Sequence, residues 1–200
     1  SYHPPIQFCL RCFPHIRSQI MPITPNIKLA VIGCGYWGQN LVRNFAELGV
    51  LAAVCDANTI LASAAAKQYN VPALTLEQVL NSDLEAVVIA APAAQHYALT
   101  EKALKAGKHV FVEKPLSLNV DEAKRLCDLA QKLNLKLMVG HLLQYHPAFL
   151  QLKSLIAAGK LGRLQYIYSN RLNLGKFRNE ENILFSYYFV LRKDQMTFSL

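Results

Sequence analysis

Charged residues are scarce in this 200-residue chain, 17% of the total against 52% hydrophobic, and mean hydropathy is +0.17. So few charges exclude an intrinsically disordered chain, which cannot bury enough apolar surface to offset its ordering entropy. Glycine is sparse and aperiodic, with nine residues, which excludes collagen-like repeats. No run approaches the roughly 18 apolar residues of a membrane span. The five cysteines, Cys9, Cys12, Cys34, Cys55 and Cys127, form an odd set without framework spacing. Cys9 and Cys12 make a C-x-x-C with no second pair, too little for a structural zinc site. Cys34, Cys55 and Cys127 lie in apolar segments and are expected as reduced core thiols, as in a cytosolic protein. These absences leave a soluble globular chain.

The formal charge is +8, which invites a nucleic-acid reading, but its distribution argues against one. Residues 1–25 contribute +2 and residues 159–200 contribute +4, leaving +2 for the 133 residues between. No basic stripe with interleaved aromatics runs through that body, and phosphate binding needs clustered Lys and Arg.

The two ends differ from the middle. Residues 1–25 carry five of the nine prolines, Pro4, Pro5, Pro14, Pro22 and Pro25. Pro14 and Arg11 interrupt any signal-peptide core, which needs about 7–15 apolar residues. No periodicity survives such proline density, and the segment reads as a disordered leader, with Met21 as the natural start. From residue 26 the signals alternate. Strands are expected at 28–32, 50–55, 86–91, 110–112 and 136–139. Helices are expected at 37–48, 59–69, 75–80, 96–106, 121–133 and from Pro147 to about Gly159. Thr75 and Gln78 form a capping box, Gly107 a C-cap, and Pro147 suits a first helical turn. Ala123, Leu126, Leu129, Ala130 and Leu133 share one helical face. Repeated β-α units with short turns predict an α/β fold with a doubly wound parallel sheet over residues 26–158.

Gly33-Cys34-Gly35-Tyr36-Trp37-Gly38 is a G-x-G-x-x-G that directly follows a strand and opens a helix. Gly33 permits the tight turn, Gly35 lets backbone approach a pyrophosphate, and Gly38 lets helix and strand pack closely. The phosphates would sit on the helix N-terminus, with Tyr36 and Trp37 beside them. Asp56 ends the second strand, 18 residues past Gly38. Its carboxylate can accept from the adenosine ribose hydroxyls and would repel a 2′-phosphate, and Ala57 and Asn58 supply no arginine. NAD is therefore expected over NADP. The competing reading is a glycine-rich turn of an unrelated α/β protein, with Asp56 a solvated strand-end acid.

Further motifs close three more strands: Ala90-Ala91-Pro92 with His96 after it, Glu113-Lys114-Pro115, and Val139-Gly140-His141. In this order, behind the Gly-rich loop, they resemble the Gfo/Idh/MocA family of NAD(P)-dependent oxidoreductases acting mostly on sugars and cyclitols. The likeness runs from about Lys28 to Ser186. It implies a Rossmann domain followed by an α+β substrate domain, of which residues 159–200 would hold only the start. It places Lys114 beside the nicotinamide and the substrate hydroxyl, stabilising alkoxide-like charge as hydride leaves. Ala91, Pro92, His96 and Glu113 would line the cofactor, His96 also as a helix cap, and Glu113 orienting Lys114 or touching ribose. His141 would face the substrate in the same crevice. His141 and His146 are five apart and do not share a helical face, and no metal is expected.

The segment from Asn170 to Lys176 and Glu181-Asn182-Ile183-Leu184 are similar to the branch acting on nucleotide-linked amino sugars, including UDP-N-acetylhexosamine 3-dehydrogenases. Arg171 and Lys176 would then meet diphosphate or carboxylate. The family continues into a His-Asp pair, but no histidine follows His146 here. The chain after Ser186 reads as the divergent tail of a truncated product. Two functions stand: NAD-dependent oxidation of a sugar secondary alcohol, or a truncated, non-catalytic NAD-binding protein. Partners are a small-molecule sugar, UDP-linked in this branch, with neither nucleic acid nor membrane. Full-length relatives are homo-oligomeric by the same resemblance, and the location expected is cytoplasmic.

Overall fold

The computed structural model describes residues 27–166. The expected leader, Cys9, Cys12, Arg171, Lys176 and the divergent tail lie outside the described residues.

Five parallel strands form one sheet in the order β2-β1-β3-β4-β5. They are β1 (Leu29–Ile32), β2 (Leu51–Cys55), β3 (Ala86–Ile89), β4 (His109–Val112) and β5 (Leu137–Val139). The helices between them are α1 (Gly38–Glu47), α2 (Thr59–Tyr69), α3 (Leu76–Asn81), α4 (Ala93–Lys105) and α5 (Val120–Lys132). After β5 come a 3-10 helix at Leu142–Tyr145 and α6 (Pro147–Ala157). The chain runs outward from β1 to β2, then crosses back over β1 to start β3. That reversal opens a crevice between the carboxyl ends of β1 and β3, where open α/β sheets bind ligands.

Alternation along the strands builds two cores. Ala30, Ile32, Val87, Ile89, Val110 and Val112 face Ala103 and Leu104 of α4 and Leu126 and Ala130 of α5. Leu29, Val31, Val54 and Val88 face Leu41 and Val42 of α1 and Ala65 of α2. With both faces covered, the strands are short continuous apolar runs such as Ala-Val-Val-Ile in β3. This is the doubly wound α/β sheet expected from the sequence.

Local chemistry sets the element ends. Thr75 and Gln78 make both bonds of the capping box, Gln78 N–H to Thr75 Oγ1 at 3.2 Å and Thr75 N–H to Gln78 Oε1 at 2.8 Å. Asn58 and Asn119 cap α2 and α5 with side-chain oxygens. Gly107 follows α4 at φ +76°, a conformation that costs glycine little. Three details differ from the sequence expectation. β3 stops at Ile89 because the chain turns into Pro92, and α4 begins at Ala93 behind it, a turn earlier than expected. The 3-10 helix carries no apolar period and was not expected. Cys127 is exposed, not a core thiol, since the inward face of α5 holds Leu126 and Ala130. Leu133, past the end of that helix, is 42% exposed.

Candidate active site at the carboxyl edge of the sheet

Strand register brings the motifs together. Cys55, Ile32, Ile89, Val112 and Val139 are lateral neighbours across the sheet. One residue further, the ladder still holds. The amides of Gly33, Ala90, Glu113 and Gly140 donate to the carbonyls of Cys55, Ile32, Ile89 and Val112 at 2.8, 2.8, 2.9 and 2.8 Å. Asp56, Gly33, Ala90, Glu113 and Gly140 therefore leave the sheet at one level, and the turns they begin share one edge.

The three glycines of the loop differ in what demands them. Gly33 has φ +102°, and a Cβ there would stand 2.7 Å from the Ala90 carbonyl carbon. A Cβ on Gly38 would overlap the Gly33 carbonyl oxygen. At Gly35 a Cβ would meet nothing within 4 Å, and its φ lies outside the left-handed region. The protein itself thus needs glycine at positions 33 and 38 and leaves open space over 35. Tyr36 is exposed, and Trp37 stands half-exposed at the N-cap of α1.

Asp56 is partly buried, and its carboxylate is the clasp of this loop. It accepts from Cys34 N–H at 2.6 Å through Oδ2 and from Asn58 N–H at 2.7 Å through Oδ1. Sequence reasoning assigned Asp56 to a ligand alone and missed this second task. The Cys34 thiol beneath it is buried and points at the Cys55 carbonyl oxygen, 3.8 Å away. Burial first, then the nearby Asp56 carboxylate and Cys55, push this thiol up to about 11. Cys55 is raised as well, by burial and then by Asp56.

On the far side of the crevice, Ala91 is half-buried and Pro92 exposed at the N-cap of α4. His96 is 1% exposed and lies inside α4, so it is not the helix cap expected from sequence. Its Nδ1 is 2.6 Å from the Pro115 carbonyl oxygen and its Nε2 is 2.7 Å from that of Ala91. With both nitrogens taken, the ring has no polar atom left for a direct cofactor contact. Its only signal in the sequence was its distance from Ala91-Pro92.

Glu113 and Lys114 are adjacent and opposite in environment. Glu113 is buried, and its Oε1 has no hydrogen-bond partner among the described residues. Gly140 makes room for it, because a Cβ there would come within 2.9 Å of that oxygen. Lys114 is exposed at the crevice edge, joined to Pro115 by a cis peptide, and forms no ion pair among the described residues. His141 is exposed at the end of β5, on the same edge. His146 is spent elsewhere: its Nδ1 accepts from Ala148 N–H at 3.2 Å and caps α6. A groove of about 430 Å³ between α1 and α2 touches Cys34 and Tyr36 but does not reach Ala91 or Lys114.

The pattern has close counterparts. A 33% identical relative over 147 residues is the UDP-N-acetylglucosamine 3-dehydrogenase of Acidithiobacillus ferrooxidans, matching 74% of this chain and 46% of that one. The inositol 2-dehydrogenase/D-chiro-inositol 3-dehydrogenase of Lactiplantibacillus plantarum is 33% identical, covering 68% and 41%. Among solved structures, scyllo-inositol dehydrogenase of Lactobacillus casei with bound NAD(H) and scyllo-inositol superposes with TM-score 0.64 at 29% identity, covering 68% of this chain and 42% of that one. The chain thus spans less than half the length of these relatives. Residues 27–141 match the model of the oxidoreductase family with an NAD-binding Rossmann fold, and that span holds the Gly-rich loop, Asp56 and the Glu113–Pro115 turn. By this match and by its fold, the chain belongs to the Gfo/Idh/MocA oxidoreductase family.

Proposed function

We propose that residues 26–158 bind NAD in preference to NADP, and that Lys114 serves hydride transfer from a secondary alcohol of a nucleotide-linked amino sugar. The observation that carries the cofactor half is Gly35, where nothing among the described residues requires glycine and open space lies above the backbone. A pyrophosphate approaching the start of α1 accounts for that vacancy, since a side chain would hold it off. The donor set fits: a Gly-rich turn entering the N-terminus of α1, and at Asp56 a carboxylate with about four acceptor positions, of which two amides use part. The spare positions suit ribose hydroxyls, and the charge disfavours a 2′-phosphate.

Bound in the crevice, the nicotinamide would accept the hydride. Lys114, exposed and without an ion pair among the described residues, would donate a hydrogen bond to the alcohol oxygen and stabilise its growing negative charge. As the hydride leaves carbon for the nicotinamide, the hydroxyl proton would pass to water at this exposed edge, leaving the ketone. The amino-sugar assignment is supported by the likeness to the UDP-N-acetylglucosamine enzyme, and Arg171 and Lys176 are its candidate contacts. His141 is a candidate substrate contact by its place on the same edge.

Calorimetric titration of the chain with NAD and NADP, followed by turnover with UDP-amino sugars, tests this. Micromolar NAD binding, weaker for NADP and weakened further in Lys114→Ala, is expected. A folded sample that binds neither dinucleotide would overturn the reading, and NAD binding without turnover would leave a cofactor-binding protein.

A further inference from the structure

We infer that His96 is a positioning residue that clips the turn carrying Lys114 to the turn after β3, and that it does so as a doubly protonated ring. The functional part of this rests on the proposal that both turns line the cofactor crevice.

The argument starts from the hydrogen-bond inventory. Both partners of the ring are backbone carbonyl oxygens, at 2.6 and 2.7 Å, and a carbonyl oxygen can only accept. A neutral imidazole has one N–H and one lone pair. It could satisfy one carbonyl and would turn its lone pair on the other at bonding distance. Only a ring with a proton on each nitrogen makes both contacts attractive. At 2.6 and 2.7 Å both contacts are direct, with no room for a bridging water. Charged donors also make the stronger bonds.

What the clip holds is specific. The Lys114 turn is fixed to the sheet as far as Glu113, whose amide still bonds Ile89. Beyond that, the next bond holding the turn is the one from His96 to Pro115, the residue after Lys114. The other nitrogen reaches Ala91, which follows Ala90, the residue against which Gly33 packs. One ring therefore ties the turn of Lys114 to the wall of the Gly-rich loop.

Titratable groups on the held turn and on the elements packed against α4 include Glu113 and Lys114 on that turn, His109 at the start of β4, Glu122 and Arg125 on α5, and Tyr97 and Glu101 on α4 itself. None of them hydrogen-bonds His96. Glu122 bonds Ser117, Arg125 lies over the Tyr97 ring, and Tyr97 bonds Glu101. Glu113 is the buried carboxyl of the group, two residues before the carbonyl that His96 holds.

Two measurements test this. The first is nitrogen NMR on the full chain with His96 retained as its sole histidine, the other five replaced by Gln. Both ring nitrogens are expected in the protonated state at pH 7.5, and a spectrum with one unprotonated nitrogen overturns the doubly donating clip. The second is a double-mutant cycle read as NADH affinity. His96→Gln, which cannot donate to both carbonyls in this geometry, is expected to weaken binding at least fivefold alone and less than twofold in a Lys114→Ala background. Equal losses in both backgrounds overturn action through the Lys114 turn. If Lys114→Ala binds NADH as tightly as the parent, the cofactor reading of that turn fails instead, and the ring spectrum still decides the clip. Should His96→Gln fail to fold, the sole-histidine spectrum remains decisive because it keeps the ring.

Discussion

At the scale of single residues, the site separates demands made by the protein from demands made by a ligand. Gly38 and Gly35 show this most directly. A methyl at position 38 collides with the Gly33 carbonyl, so Gly38→Ala should push α1 off the sheet and cost about 1–3 kcal/mol. A methyl at position 35 meets only open space, so Gly35→Ala should unfold at the parent temperature and lose NAD binding nonetheless. Thermal melts beside calorimetry check the pair. Equal melting losses for both, or intact NAD binding by Gly35→Ala, would contradict the assignment. Cys34 carries a second prediction. Its thiol is held above the unfolded value, so the folded state binds this proton more tightly than the unfolded chain. The associated stability is complete below the unfolded value near 9 and is lost as pH rises to about 11. Stability of the parent should therefore fall from pH 9 to 11, by about 2 kcal/mol for this group. Cys34→Ala should flatten that slope, as denaturant titrations at pH 8 and 10.5 would show. A parent curve as flat as the variant's would remove the thiol from the account.

At the scale of elements, Leu126 of α5 and Leu150 of α6 are both leucines on helices, and only the first is anchored. Leu126 is 1% exposed beneath the sheet, whereas Leu150 is 48% exposed on a helix with no buried residue. Leu126→Ala should cost about 2–5 kcal/mol and Leu150→Ala less than about 0.5 kcal/mol in chemical denaturation. Comparable losses would mean that α6 is packed against something. This contrast also marks what could be read from sequence. The strands, helices and parallel class were legible because apolar runs, the Thr75 box, Gly107 and Pro147 each act within a few residues. Strand order was not, since the crossing from β2 back over β1 to β3 is a tertiary event. The site was legible as motifs, and its pieces met because register aligns Gly33, Ala90 and Glu113. The Asp56 clasp, the two-sided bonding of His96 and the need for Gly140 beside Glu113 were hidden, because each includes a link between residues more than 18 positions apart.

At the scale of the whole molecule, the charge and apolar surface are unevenly placed. The sheet is covered on both faces through β4, but protection thins at β5, where Met138 is 42% exposed. Beyond it, Leu142, Leu143 and Tyr145 of the 3-10 helix are exposed, and Leu143 joins Phe149 and Leu152 around an apolar hollow on α6. Contiguous exposed apolar surface of this kind binds other apolar surface, whether from the same chain, a second copy or a dye. The described residues stop at 166, and this chain spans 46% of the length of its 33% identical relative. A variant carrying Leu142→Ser, Leu143→Ser and Leu150→Ser separates the cases. If the patch is open in the 200-residue chain, the variant should bind less of an apolar fluorescent dye and sediment as a smaller species at high concentration. Its folding stability should stay within about 1.5 kcal/mol, as three exposed substitutions allow, and its NADH affinity should not change, since none of the three touches the crevice turns. A loss of several kcal/mol would show instead that residues beyond 166 already cover this end, and that the domain is stabilised by a part of the chain outside the sheet.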